Sequence, residues 1–164
     1  MAILQTYATA DEIRAVLGVS PEELEDTTIE RPLYVRQLQF DLADVGEGVE
    51  AAYLVVSAMS PSTRSVKEQK LYDVTAVYSS YVISRLLLTS LGLFAPKQIT
   101  DGRASQTRIE DPYKRVREGV EASYAVLRNR LLVAYTALGN SVGVVTNLAY
   151  VVTAPLSVNP ITGV

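Results

Sequence analysis

From Leu131 to Val164 the chain carries no Asp, Glu, Lys or Arg, and this limits its folding options more than any other feature. Within SVGVVTNLAYVVTAPLSVNPI, Val, Thr, Tyr and Leu dominate, which is strand chemistry. Gly143, Asn147, Pro155 and Pro160 cut the stretch into short pieces. A membrane helix is disfavoured by Asn140, Ser141, Asn147 and the two prolines. A lone strand leaves its N–H and C=O groups unpaired. The expectation is therefore a donated arm over 140–164, completing a sheet or lying in a groove of a neighbouring chain. Burial there accounts for the missing charge, because buried charges are costly. Val144, Val145, Leu148, Tyr150, Val151, Val152, Pro155 and Leu156 are its candidate partner-binding residues.

The 164 residues suit one domain with a real core. Cys and His are both absent, which removes disulfides, the usual zinc and iron–sulfur sites and every nucleophile–His pair. The expected role is non-enzymatic, with no cofactor. A His-independent enzyme would need a deep pocket around Lys67, Lys70 or Tyr72. The net charge of −3 argues against a general nucleic-acid binder, whose affinity rests on neutralising phosphates. Charge is also uneven. Residues 1–60 hold eleven acids and three bases, a balance of −8, and the remainder carries +5. The start MAILQTYATADEIR lacks the features of a signal peptide.

Helix signals dominate the first 139 residues, giving a mainly α fold: a bundle of long helices. ADEIRAVL, capped by Thr9 or Thr6 and stopped by Gly18, reads as a first short helix. Ser20, Pro21 and Glu23 read as N-cap, N1 and capping box of a second. Val35, Leu38, Leu42, Val45, Val49, Tyr53, Val56 and Met59 then form a stripe of threes and fours. The stripe keeps its phase across Gly46 and Gly48, which favours one helix with a weak centre. A third long helix is expected from about Thr63 to Phe94. Its second half is apolar nearly all round, with Arg85 its only charge. It reads as a central helix buried on every side, in which Arg85 needs acceptors from the acids of 1–60 or from a neighbouring subunit. Asp101-Gly102 reads as a two-residue turn in a projecting hairpin insert, at about 97–109. Asp111-Pro112 opens the last helix. Its stripe is Tyr113, Val116, Val120, Tyr124, Leu127, Leu131, Ala134 and Leu138, and Gly139-Asn140 is its stop. The expected domains are thus a helical domain over 1–139 and an extended arm over 140–164.

Chemical motifs are few. The pair ADEIRAVL-GVS-PEELEDTTI has the outline of a helix-turn-helix, but Glu22, Glu23, Glu25 and Asp26 would repel DNA where a reading helix needs bases. Asp41 with Asp44, and Glu47 with Glu50, have spacings that could serve a metal, yet lack the His that completes a bundle site. They read as exposed charges. Ten Tyr against two Phe suit surfaces that become interfaces. Tyr78, Tyr81, Arg85, Asp101, Gly102 and Arg103 are the candidate oligomer interface. A membrane-associated protein using 74–94 and 131–150 is a further possibility, as is another oligomeric interaction module.

TADEIRAVLGVSPEELE, the long helix ending SRLLLTSLGLF, the segment KQITDGRASQTRIEDPY and the final helix together resemble the head-to-tail connector (adaptor) proteins of tailed bacteriophages. The resemblance covers most of the chain. It implies a virion protein at the head–tail interface, assembled in the host cytoplasm without a membrane. It also implies a homo-oligomeric ring, typically dodecameric, docked beneath the portal protein by its arm and presenting a platform for tail or nozzle proteins. Such a ring continues the channel for double-stranded DNA. Glu22, Glu23, Glu25 and Asp26 are its candidate channel-lining residues, since like charge keeps DNA sliding without sticking.

Overall fold

The first helix forms where its capping residues place it. In the computed structural model, which describes residues 3–91, 98–101, 104–107 and 114–139, α1 spans Ala10–Leu17. The Glu12 amide donates to the Thr9 hydroxyl at 3.3 Å, and the Thr9 amide donates to the Glu12 carboxylate at 2.8 Å. Together these satisfy two orphan donors of the first turn. Gly18, at φ 68°, ends the helix in the left-handed region.

The second helix is short, as expected, but starts later than its capping signals place it. Residues 21–24 form turns, and α2 is the single turn Asp26–Ile29. Only half of the capping box is present, with the Ser20 amide donating to Glu23 at 2.8 Å. The Leu24 carbonyl, which a continuing helix would use, instead accepts from Arg14 Nε at 2.9 Å. Glu25 is consequently extended, at ψ 148°.

The long stripe belongs to two helices, not one. α3 spans Pro32–Val45 and α4 spans Val49–Ala58. Gly48 sits between them at φ 87°, a conformation that disfavours other residues. The stripe survives because the turn returns the chain in phase: Val35, Leu38, Leu42, Val45, Val49, Tyr53 and Val56 are all buried.

Pro61–Thr63 forms a 3-10 turn, and α5 follows over Val66–Leu91. Its start is fixed by a capping box. The Ser65 amide donates to Glu68 at 2.7 Å, and the Glu68 amide donates to the Ser65 hydroxyl at 3.3 Å. α6 spans Lys114–Thr136.

α5 is the hub and touches α1, α3, α4 and α6. Leu71, Tyr78, Val82, Ile83, Leu87 and Leu88 place it in one core with Ile13, Leu38, Leu42, Tyr53, Leu127 and Leu131. It is not buried on every side, because Val77 is substantially exposed. Thr75, Ser79, Ser80 and Ser84 are buried. Each hydroxyl donates to the carbonyl four residues earlier, at 2.7–3.1 Å. These small, satisfied side chains let α1 approach closely, and Ser84 also lies 3.4 Å from the Ile13 carbonyl. Among the described residues no helix is long and apolar enough to cross a membrane.

Gln98–Asp101 (β1) pairs antiparallel with Ala104–Thr107 (β2), with Asp101 opposite Ala104. Asp101 is therefore a strand residue and not the first residue of a two-residue turn. A hairpin insert over about 97–109 is not established by this ladder. Residues 92–97, 102–103 and 108–113 lie outside the described set, as does the expected arm at 140–164.

Candidate functional site

Among the described residues, five tyrosines are engaged in ring stacks with one another. Tyr7, Tyr53 and Tyr72 stack in succession with centroids 5.6 Å apart. The Arg64 guanidinium closes the stack 4.1 Å above the Tyr72 ring. That guanidinium also donates to the carbonyls of Val56, Ser57 and Met59 at 3.0–3.3 Å. It thereby serves the orphan acceptors at the end of α4. At the other end, the Tyr7 hydroxyl donates to Glu50 at 2.5 Å, and Gln39 donates to the same oxygen at 2.8 Å. Burial and the Glu50 hydrogen bond push the Tyr7 hydroxyl up to about 12.

A second stack repeats the plan. Arg85 lies 4.6 Å over Tyr124, whose ring stacks on Tyr78 at 5.6 Å. The Tyr124 hydroxyl donates to Asp41 at 2.8 Å. Burial raises the pKa of Tyr53, Tyr78 and Tyr124 above the ordinary phenol value. Arg85 Nε donates to Glu121 at 2.8 Å, and that bond holds Arg85 more firmly protonated. The hydrogen-bond acceptor for Arg85 is thus Glu121 on α6, while Asp41, from residues 1–60, adds a favourable charge. Tyr78 is fully buried within its own chain and offers no surface to an oligomer. Tyr81 is half-buried. The side chain of Asp101, and Gly102 and Arg103 altogether, lie outside the described residues.

The acidic quartet divides. Glu22, Glu23 and Glu25 are exposed. Asp26 instead forms an ion pair with Arg14, which is only 7% exposed and also binds Asp11 at 3.0 Å. The Asp26 hydrogen bond leads in raising the Arg14 pKa. Asp26 is therefore a structural partner before it is a lining charge. Arg14 and Arg64 are the functional side chains of the fold that sequence patterns missed. A base isolated among acids, and a base following a Ser-Pro break, were the available signals.

The paired acids also serve the fold. Asp41 and Glu50 accept from tyrosines, and the Asp44 carbonyl accepts from Arg128 at 2.8 Å. Among the described residues no three His, Cys, Asp or Glu gather as a metal site, and every buried side-chain N or O atom has a partner. Tyr72 is held in its stack, while Lys70 borders an open groove of about 550 Å³. Val74, Val126, Asn129, Arg130 and Val133 complete that groove between α5 and α6.

The remaining surface feature is apolar. Phe40 is 72% exposed, Leu33 60%, Val133 58% and Val126 51%. The partner-binding candidates from Val144 to Leu156 lie outside the described residues. No protein-family model, curated protein or solved structure matches the chain.

Proposed function

We propose that the protein is a non-enzymatic structural subunit of a tailed-phage virion, forming a ring between the portal and the tail. The observation that carries an assembly role is the placement of large apolar side chains in solvent on rigid helices. Phe40 and Leu33 on α3, and Val126 and Val133 on α6, stand outside the core, as do Leu54, Val55, Val66 and Val77. Exposed apolar groups set among polar ones suit surfaces that meet protein. The uncharged stretch after Leu131 supports the same reading, with 140–164 as the arm that docks on the portal or a neighbouring subunit. The connector assignment itself rests on the resemblance of the helical segments, with the exposed Glu22, Glu23 and Glu25 as the channel-facing acids.

Electron microscopy of the purified chain, alone and mixed with purified portal rings, tests the proposal. The expected result is a ring coaxial with the portal, together with slowed amide exchange across 140–164 on mixing. A chain that neither forms rings nor binds portals, with unchanged exchange in 140–164, overturns it.

A further inference from the structure

Besides Leu54 and Val55 on α4 and Val66 and Val77 on α5, the exposed apolar side chains include two patches of different character. On α3, Leu33, Gln37, Phe40 and Asp44 recur at the spacing of one helix face. This face points away from the stripe that enters the core. It belongs to the acidic segment 1–60, and Asp44 stands one turn beyond Phe40. The second patch is the α5–α6 groove, floored by Val74, Val126 and Val133 and edged by Lys70 and Arg130. Between described residues, Arg14 pairs with Asp11 and Asp26, and Arg85 with Glu121. Lys70, Arg130 and Asp44 stand outside all of them.

These patches cannot meet within one molecule. α6 turns Tyr124, Arg128 and Tyr135 towards α3 and the α3–α4 turn. Val133 follows Tyr124, and Tyr135 follows Val126, by about two and a half turns of helix. The groove is therefore on the far side of α6 from α3. One chain thus carries an apolar knob with Asp44 at its end on one side and a basic apolar groove on the other.

We infer that the Phe40 face of one copy seats in the α5–α6 groove of a second copy, with Asp44 against Lys70 and Arg130. The contact is heterologous, so each copy uses both patches and the series closes as a ring if the rotation per copy allows. The apolar floor takes the Phe40 ring out of water. The rim charges favour this register, since the inverted docking would take Asp44 away from Lys70 and Arg130. This rests on the assembly role proposed above and names the surfaces that carry it.

Because the chain has no cysteine, disulfide trapping gives a clean test. Full-length Gln37→Cys and full-length Asn129→Cys are mixed and oxidised. The expected product is a disulfide dimer that needs both variants and is absent from either alone. Sedimentation should show Phe40→Asp weakening self-association by roughly tenfold or more, as loss of an interface anchor does. Asp44→Lys should weaken it too, and Lys70→Glu with Arg130→Glu in the same chain should restore it. If the chain assembles without the mixed disulfide, and the charge exchange restores nothing, this contact is wrong while the assembly role stands. A disulfide from Asn129→Cys to Val152→Cys in place of Gln37→Cys assigns the groove to the arm and likewise overturns the contact. A chain that stays monomeric at every concentration and is never trapped overturns both.

Discussion

The Tyr135 hydroxyl donates to the Glu47 carbonyl at 2.8 Å and lies 2.9 Å from where a β-carbon on Gly48 would stand. The last helix therefore closes on the α3–α4 turn. Gly48→Ala meets both a left-handed backbone and the phenol. It should destabilise the protein by about 1–3 kcal/mol in urea unfolding. Gly119→Ala, in α6 with nothing within 4 Å of the added carbon, should be neutral or stabilise by up to ~1 kcal/mol.

Arg64 joins the end of α4 to the Tyr72 stack. Arg64→Ala should cost about 2 kcal/mol, combining lost charge-assisted hydrogen bonds with lost cation–π contact. Arg64→Lys should recover little of this, because an ammonium cannot fork across three carbonyls. Denaturant midpoints of the three proteins decide the matter.

The raised Tyr7 pKa makes stability fall at high pH. A phenol whose folded value exceeds its unfolded value contributes fully below the unfolded value of 10.0 and loses that contribution as pH rises towards about 12. Stability should therefore decline from pH 10 upward, and Tyr7→Phe should flatten part of that decline. Absorbance titration of phenolate formation at a series of urea concentrations reads both effects.

Glu68 behaves in the opposite sense. Its hydrogen bond from the Ser65 amide lowers its pKa below the ordinary 4.5. The associated stability is present above that value and is lost as pH falls through the lower folded one. Glu68→Gln should thus differ from the native chain more at pH 7 than at pH 3 in thermal unfolding. Ser65→Ala should cost about 1 kcal/mol at neutral pH, the usual cost of a lost N-cap.

Asp26→Asn leaves the nearly buried Arg14 with the exposed Asp11 as its remaining carboxylate partner, whereas Glu22→Gln and Glu25→Gln alter exposed side chains. The first should lower the thermal midpoint clearly, and the other two should leave it close to native. An equal loss in all three would contradict the division drawn within the acidic quartet.

Much of the fold is legible in the sequence because it is local. Thr9 with Glu12 and Gly18 delimit α1, and the threes and fours from Val116 to Leu138 mark the inward face of α6. The break at Gly46–Gly48 escapes periodicity because Val45 to Val49 is itself a step of four, so the phase is blind to the turn. The tyrosine stacks escape for another reason. Tyr7, Tyr53 and Tyr72 come from separate elements, and nothing in their own neighbourhoods reveals that they face one another instead of a partner. Of the surfaces proposed for assembly, Phe40 is an unremarkable member of a helix until the structure shows it standing in water.

The fastening of Glu47 by Tyr135 and of Asp44 by Arg128 sets an order of events at the ribosome. When α1 to α4 emerge, the residues that clamp their central turn have not yet been made. The acidic half must wait for most of the remaining chain, through the hub helix and nearly the whole of α6, before it can lock. Completion of the fold therefore needs nearly the whole of the described chain, and the acidic half gains its last fastenings from the C-terminal turns of α6.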